Sequence, residues 1–268
     1  MRERRSASRA WAACTVACVL GLAGTSHADG KTAEEISECV RGNLPERTSQ
    51  QQIELESLDR AGGKRKLAAK LDWKRGEEDR PRVRIRVQAP PDLRDAAYLV
   101  IEKPGDDDMF MYVPALRKVR RIAGGMLEGE LWGTDFSYED IKQVQGITGS
   151  GARERLPDAE VSGRPAWVVE HRPDGSEGSP YTRIVAYVDR ATCVALRTEF
   201  FQRGERPRKV LVADPESLLQ VGGRWLAGSL EMEDLRDETR SWLRVLKVEH
   251  DTEIPERVFS VKRLSLGH

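Results

Sequence analysis

Residues 111–141 read MYVPALRKVRRIAGGMLEGELWGTDFSYEDI, and this stretch decides the predicted fold. The apolar run that opens it stops at Pro114, which predicts a strand followed by a turn, because proline has no N–H to donate to a sheet. A second strand is expected through Val119 and Ile122, inside a basic segment. Two consecutive glycines then predict a loop.

The second half of the stretch combines aromatic and acidic residues. Ser137 and Asp140 have the spacing of a capping box, which predicts that a short helix begins at Tyr138. Asp135 and Ser137 have short polar side chains that can accept hydrogen bonds from nearby backbone N–H groups, and Phe136 is expected to anchor the segment. Nothing here has the spacing of a catalytic or metal site, so the stretch predicts structure rather than chemistry.

Two parts of the stretch also resemble a known family. Residues 112–122, YVPALRKVRRI, and residues 133–141, GTDFSYEDI, are similar to the signature of the LolA-like outer membrane lipoprotein-sorting family, with Ile141 where leucine is usual. The resemblance implies a mainly β fold: a curved, incomplete antiparallel barrel of the LolA/LolB type, covered by short helices, with an apolar cavity. It also implies a periplasmic, non-catalytic carrier or binding protein for lipid or lipoprotein acyl chains, in transient contact with the membrane.

Composition limits the classes of function. The chain has 268 residues, with 44 basic and 44 acidic side chains. This balance argues against a nucleic-acid-binding scaffold, which would carry a basic excess. No linker and no internal repeat is evident, so residues 29–268 are expected to form one domain, acting as a monomer.

The first 28 residues have the three parts of a secretory signal. Residues 1–9 are basic, residues 10–24 are apolar, and Ser26 and Ala28 place small residues before a cleavage point at Asp29. The apolar part is too short to span a bilayer, which needs about 20 residues. A lipid anchor on Cys18 is disfavoured because the residues before it make a poor lipobox. The protein is therefore expected in the periplasm.

Apolar alternation predicts a sheet after one amphipathic helix. The helix is expected at residues 31–44, with a capping box formed by Thr32 and Glu35. Residues 47–58 are polar and carry no clear pattern. Period-two patterns predict about ten strands, most with one apolar and one charged face. Besides the strand through Val119 and Ile122, these are residues 67–73, 83–87, 97–102, 109–113, 164–170, 184–189, 195–201, 209–212, 227–232 and 242–248.

The resemblance and the strand patterns suggest which side chains meet a ligand. The candidates for the cavity or its mouth are Ala69, Leu71, Trp73, Trp132, Phe136, Tyr138, Trp167 and Trp225, with Trp242 in a similar pattern. The aromatic residues among them are more often core than ligand contacts, and sequence alone does not decide this.

A basic run and two cysteines are further candidate sites. Arg117, Lys118, Arg120 and Arg121 form either a solvated strand edge that discourages aggregation or a contact for an anionic head group or acidic partner. Cys39 and Cys193 remain after cleavage of the signal. In an exported protein they form either one disulfide or two buried free thiols, and their separation in sequence does not distinguish the two.

No catalytic, metal or cofactor site is expected. His171, His250 and His268 lack neighbours at ligand spacing, and neither a nucleophile elbow nor a phosphate-binding loop is present in the sequence. Two alternatives to a carrier remain. One is a sensor or adaptor of a membrane transporter that binds a protein partner; the other is an uncharacterised hydrolase, which the missing nucleophile–base pattern argues against. Family members often accompany resistance-nodulation-division transporters, so the resemblance makes such a transporter a candidate partner.

We expect the mature protein to begin at Asp29. The test is N-terminal sequencing of protein recovered from the periplasmic fraction, with the cytoplasmic fraction as the control. An intact leader, or a lipid attached to Cys18, would contradict this prediction.

Overall fold

An antiparallel sheet makes up most of the structure, a computed structural model that describes residues 30–105, 107–146, 149–175 and 178–266. The described strands are β1 (Thr48–Leu58), β2 (Lys64–Arg75), β3 (Pro81–Ala89), β4 (Ala97–Ile101), β5 (Asp108–Val113), β6 (Lys118–Ile122), β7 (Gly151–Val161), β8 (Arg164–Pro173), β9 (Arg183–Asp189), β10 (Ala195–Phe201), β11 (Lys209–Ala213), β12 (Leu218–Val221), β13 (Arg224–Ala227), β14 (Ser229–Asp234) and β15 (Thr239–His250). Every predicted strand is present, with ends that differ by a few residues.

Thirteen of the described strands form one sheet, which does not close on itself. Their order is β6-β5-β4-β3-β2-β1-β15-β14-β11-β10-β9-β8-β7, so β6 and β7 are the two edges. The remaining two, β12 and β13, pair as a separate hairpin. The fold class, a mainly β, incomplete antiparallel barrel with short helices, is thereby confirmed. The described chain from residue 31 onward forms one compact unit.

Two strands of the sheet were not predicted. β1 occupies the polar segment at residues 47–58 that carried no clear pattern, yet it lies in the middle of the sheet between β2 and β15. Ile53 and Leu55 are its fully buried hydrophobic residues, and three glutamines stand before them at residues 50–52, so the apolar alternation is short. β7 is an edge strand without a fully buried residue, so its sequence lacks the apolar alternation that signals a strand.

The hairpin of β12 and β13 turns at two glycines. Gly222 and Gly223 have φ angles of 58° and 78°, the left-handed region that a two-residue hairpin turn needs at both positions. Two consecutive glycines are typical of such a tight turn. The pairing of two four-residue strands around it was not predicted, because neither strand is long enough to show a period.

Helix α1 (Ala33–Arg41) begins with the predicted capping box. The N–H of Glu35 donates to Thr32 Oγ1 (3.2 Å), and the N–H of Thr32 donates to Glu35 Oε2 (2.7 Å). The helix ends earlier than the predicted residue 44. Its buried Ala33 and Ile36 pack against a small cluster from β8 and β9, formed by Trp167, Val169 and Val188.

Helix α2 (Tyr138–Val144) also begins with its predicted capping box. The N–H of Asp140 donates to Ser137 Oγ (3.1 Å), and the N–H of Ser137 donates to Asp140 Oδ2 (2.7 Å). Phe136, just before the helix, is fully buried in the main core. None of the helices in the described residues has the length and hydrophobicity that a membrane span requires.

Asp135 has a different role from the predicted one. Its carboxylate accepts hydrogen bonds from the hydroxyls of Thr239 and Ser241 on β15, and its own N–H donates to Ser241 Oγ (2.9 Å). The prediction of a bond to a nearby backbone N–H is wrong for this residue because the hydroxyls of a distant strand come within reach. Asp135 therefore fixes the segment to the sheet.

A buried ion pair holds α2 against the sheet. Lys209 Nζ on β11 donates to Asp140 Oδ2 (2.8 Å) and to the carbonyl of Asp135 (2.6 Å). The Tyr181 hydroxyl donates to the other Asp140 carboxylate oxygen, Oδ1. Burial raises the pKa of Tyr181 well above its ordinary value, and the Asp140 charge adds to the effect, so the phenol remains a donor.

A second buried ionic cluster lies on the other side of α2. Lys142 Nζ is 2.6 Å from Asp107 Oδ2 and 3.5 Å from Glu139 Oε2. Burial raises the pKa of Glu139, while the positive charge of Lys142 acts in the opposite direction. The cluster ties the helix to the turn between β4 and β5.

Replacing Phe136 by alanine should lower the free energy of unfolding by about 3 kcal/mol, because it removes a fully buried aromatic ring and leaves a cavity. Urea denaturation measures the change. Leu116→Ala is the matched control: this leucine is 49% exposed, so its loss should cost less than about 0.5 kcal/mol. Equal stability of the Phe136 variant and the wild type would contradict the assigned burial.

Candidate functional site

A cavity of about 310 Å³ lies between the inner face of the sheet and the elements that cover it. The cover consists of α1, the residues that follow it, the last turn of α2 and the hairpin of β12 and β13. The lining is mostly apolar, and includes Ile36, Val40, Leu44, Trp73, Val169, Ile184, Ala186, Val188, Phe200, Leu211, Trp225 and Leu243. A cavity of this size falls at the lower end of the range of small-molecule sites.

Strand alternation explains why the floor of the cavity is apolar. Val169 on β8 pairs with Ala186 on β9, which pairs with Thr198 on β10, which pairs with Leu211 on β11. Directly paired residues point to the same face of a sheet, so this row lies side by side under the cover. All four residues line the cavity.

One asparagine connects the parts of the cover. Asn43, two residues after α1, donates from Nδ2 to the carbonyl of Thr192 in the turn between β9 and β10 (2.8 Å). Its Oδ1 accepts a hydrogen bond from the N–H of Trp225 on β13 (3.0 Å). The end of α1, the β9–β10 turn and the hairpin are thus joined at one side chain.

A disulfide joins α1 to the same turn. The structure bonds Cys39 in the helix to Cys193, with Cα atoms 5.6 Å apart. Cys193 lines the cavity, so the bond lies at its wall. Of the two alternatives that the sequence leaves open, the structure contains the disulfide.

Polar side chains interrupt the apolar lining. Arg153 on β7 and His171 on β8 are directly paired across the two strands and both reach the cavity. His171 Nε2 lies 3.3 Å from the carbonyl of Ser150, and burial lowers the pKa of this histidine below its ordinary value. His250 also lines the cavity, and burial lowers its pKa too. Both imidazoles are therefore neutral at pH 7.

Two of the predicted cavity residues line the cavity, Trp73 and Trp225. Trp73 stands at the end of β2, where its Nε1 donates to the carbonyl of Gln145 just after α2 (3.3 Å). Trp225 lies on the hairpin that covers the cavity. Both were predicted from the family resemblance together with the strand patterns.

The other predicted cavity residues are placed elsewhere, which corrects the prediction. Ala69, Leu71, Phe136 and Tyr138 belong to the main core, Trp132 packs against that core, and Trp167 belongs to the cluster under α1. Trp242 lies outside the lining as well, and its Nε1 donates to Glu231 Oε2 (3.0 Å). Ala69 and Leu71 do not reach the cavity because Leu131 and Phe136, from the segment before α2, pack with them in the main core. Trp167 is covered by α1, and Trp242 lies between its cross-strand partners Glu56 and Glu231.

Sequence reasoning missed most of the floor of the cavity. Ala186, Thr198 and Phe200 sit on strands that were predicted correctly. The alternation of these strands indicated which residues share a face, but it did not indicate that this face borders an empty space rather than a packed core.

The basic run lies around the edge strand β6. Arg117 ends the turn before it with a φ angle of 50°, and Lys118 and Arg120 are exposed. Arg121 is engaged by Asp108, 3.0 Å away. The other three have no hydrogen-bond or ion-pair partner on their side chains among the described residues. The edge position agrees with an anti-aggregation role, and contact with an anionic partner stays a prediction.

No group of three or more His, Cys, Asp or Glu side chains in the described part of the chain is placed to hold a metal ion. His268, named among the histidines of the sequence, lies outside the described residues, as does the predicted leader at residues 1–28.

Comparison with known proteins shows to which family the chain belongs. The model of a LolA-like family matches residues 80–265. The description of that family is 'uncharacterized protein'. The chain belongs to this LolA-like family. The matched residues include both parts of the signature that the sequence carries. A comparison with curated proteins found no match.

Solved structures share the LolA-like fold over nearly their whole length. A DUF1329 family protein from Desulfovibrio piger is 22% identical, with a TM-score of 0.80, and the match covers 87% of this chain and 97% of that one. A domain described as an outer membrane lipoprotein-sorting protein domain, from Vibrio parahaemolyticus, is 23% identical, with a TM-score of 0.79 and coverage of 87% and 99%. A LolA superfamily protein from Nitrosomonas europaea is 17% identical, with a TM-score of 0.68 and coverage of 86% and 98%.

Removing the disulfide should destabilise this LolA-like protein. The bond closes a loop between residues 154 positions apart, so the Cys39→Ser, Cys193→Ser double variant should lose about 2–4 kcal/mol of unfolding free energy. Urea denaturation measures the loss, and reduced wild type is the control that should match the variant. Free thiols detected by labelling in the native wild type would contradict the assigned bond.

Proposed function

We propose that this chain is a non-catalytic periplasmic carrier that binds the acyl chain of a lipid or lipoprotein in the cavity under α1. The observation that carries the proposal is the mostly apolar lining of that cavity, about 310 Å³ in volume. The fold agrees with this role, because a structural neighbour is described as a lipoprotein-sorting domain. The cavity gives a ligand a place to bind, which supports a carrier over a sensor or adaptor that binds only protein.

The energy for binding would come from burial of the chain. Each methylene group moved from water to an apolar wall contributes about 0.8 kcal/mol. Val169, Ala186 and Leu211 provide that wall on the sheet side, and Ile36 and Val40 provide it on the helix side. A chain of several methylenes would therefore bind favourably without any covalent chemistry.

The predicted leader and the disulfide suit an exported protein, because disulfides persist in oxidising compartments such as the periplasm. The exposed cations Arg117, Lys118 and Arg120 offer a surface for transient contact with an anionic membrane or an acidic partner. The transporter to test as a partner is one of the resistance-nodulation-division class. We propose that the carrier itself is a monomer.

A bulky side chain on the floor of the cavity should block ligand binding. N-phenyl-1-naphthylamine, a neutral fluorescent probe of apolar sites, should bind the wild type and be displaced by dodecanoate. Ala186→Phe should abolish the fluorescence while keeping the melting temperature, because the ring enters empty space.

Ala69→Phe is the matched control for the blocking variant. Ala69 is fully buried in the packed core, so the same enlargement there should destabilise by about 1–3 kcal/mol while folded protein still binds the probe. A wild type that binds no probe, together with an Ala186 variant that melts at a lower temperature, would show that the space is not a ligand site.

A further inference from the structure

Three uncharged polar side chains line the apolar cavity where β1 begins and β15 ends. Ser49 and Gln51 lie on β1 and His250 is the last residue of β15, and we call these three residues the polar patch. Ser49 is paired directly with His250 on one side and with Trp73 on the other, so the three side chains stand in one row on the inner face of the sheet. Strand alternation brings Gln51 to the same face as Ser49.

The polar patch makes few hydrogen bonds within the protein. Ser49 is completely shielded from solvent, and its hydroxyl accepts one long hydrogen bond, from Gln51 Nε2 (3.5 Å). His250 Nδ1 is buried and has no hydrogen-bond partner among the described residues. Gln51 Oε1 accepts no hydrogen bond from any residue that the structure describes. Polar groups that stay without partners in an apolar interior reduce stability, so the pattern indicates a partner from outside the chain.

The charges around the polar patch are engaged with one another. Burial lowers the pKa of His250, the Asp251 charge opposes this effect and the Arg224 charge adds to it, so the imidazole is neutral at pH 7. Arg224 lies 3.9 Å from the Glu46 carboxylate. The Asp251 carboxylate accepts a hydrogen bond from the N–H of Arg47 (2.7 Å). A ligand at the polar patch therefore meets a hydroxyl, an amide and a neutral imidazole.

We propose that the polar patch binds an uncharged head group that both donates and accepts hydrogen bonds, as in an acyl ester of glycerol, while the acyl chain lies on the apolar floor. This inference rests on the proposed carrier function and adds the head group of the ligand to it. The Ser49 hydroxyl can donate to an ester carbonyl, and Gln51 Oε1 and His250 can accept from free hydroxyls. A few polar groups in an apolar pocket fix the orientation of a ligand. A carboxylate would lose its hydration at this patch without gaining a charged partner.

Three ligands with the same twelve-carbon acyl chain test the proposal: glycerol monododecanoate, methyl dodecanoate and dodecanoate, each displacing N-phenyl-1-naphthylamine from the full mature protein. Wild type should bind the glycerol ester about tenfold more tightly than the methyl ester, because two additional hydrogen bonds of ordinary strength together amount to about that factor. Dodecanoate should bind through its chain, but more weakly than the glycerol ester. It also shows whether the arginines of the lining, on α1 and β7, attract an anion instead.

Variants of the polar patch locate the effect. Gln51→Met and His250→Leu should each reduce the preference for the glycerol ester over the methyl ester several-fold and leave the affinity for the methyl ester unchanged. Thr198→Val is the matched control, because this threonine lines the same cavity from β10 and its variant also replaces a polar group by an apolar one. The control should keep the preference of the wild type.

Melting curves of the same variants distinguish ligand binding from a structural role. Gln51 Oε1 and His250 Nδ1 have no partner within the described part of the chain, so apolar residues of similar size should keep or raise the melting temperature. A clear drop in the melting temperature of Gln51→Met would show that the glutamine holds the fold, and would overturn its assignment to the ligand.

The outcomes separate this inference from the function on which it rests. If the wild type binds the two esters equally or prefers dodecanoate, or if Gln51→Met keeps the full preference for the glycerol ester, the head-group assignment is wrong and the carrier function stands. If none of the three ligands displaces the probe, or the probe itself does not bind, the carrier function is wrong.

Discussion

The arrangement of the interior depends on the buried ion pair between Asp140 and Lys209. The carboxylate is completely shielded from solvent and accepts hydrogen bonds from the lysine, from the Tyr181 hydroxyl and from the N–H of Ser137. Loss of one member of such a pair typically costs about 3–5 kcal/mol, because the other charge stays buried without compensation. The pair therefore fixes where α2 begins and how it lies on β11. Asp135 adds a second attachment through the hydroxyls of β15.

This attachment divides the interior into a solid part and a hollow part. The segment before α2 brings Leu131 and Phe136 over β2 to β5, where they are packed among the apolar side chains of those strands. The face formed by β8 to β11 receives no comparable filling. Ile36 of α1 packs against Val169 and Val188 on this face, and the cavity lies beside this contact. The same sheet thus borders a packed core at one place and a cavity at another.

Local features of this protein were predictable from its sequence, and the content of its interior was not. Both capping boxes and the period-two strands were predicted because each depends on residues close together in the chain. Strand β1 was not predicted because its glutamines interrupt the alternation of apolar and polar residues. It nevertheless lies in the middle of the sheet, between β2 and β15. Trp73 and Trp225 were identified as cavity residues, but Ala69 was placed there too. Whether a buried side chain meets a void or a neighbour depends on α2 and its attachments, which only the tertiary structure reveals.

The bond between Cys39 and Cys193 makes a covalent ring of most of the first two-thirds of the chain. Strands β1 to β9 lie within this ring, and β10 to β15 follow outside it. The ring contains Val40 of the cover and Val169 and Ala186 of the floor, whereas Leu211 and the hairpin of β12 and β13 lie outside it. While this bond is intact, the end of α1 stays attached to the turn between β9 and β10, so movement of α1 away from the sheet can only pivot about this point.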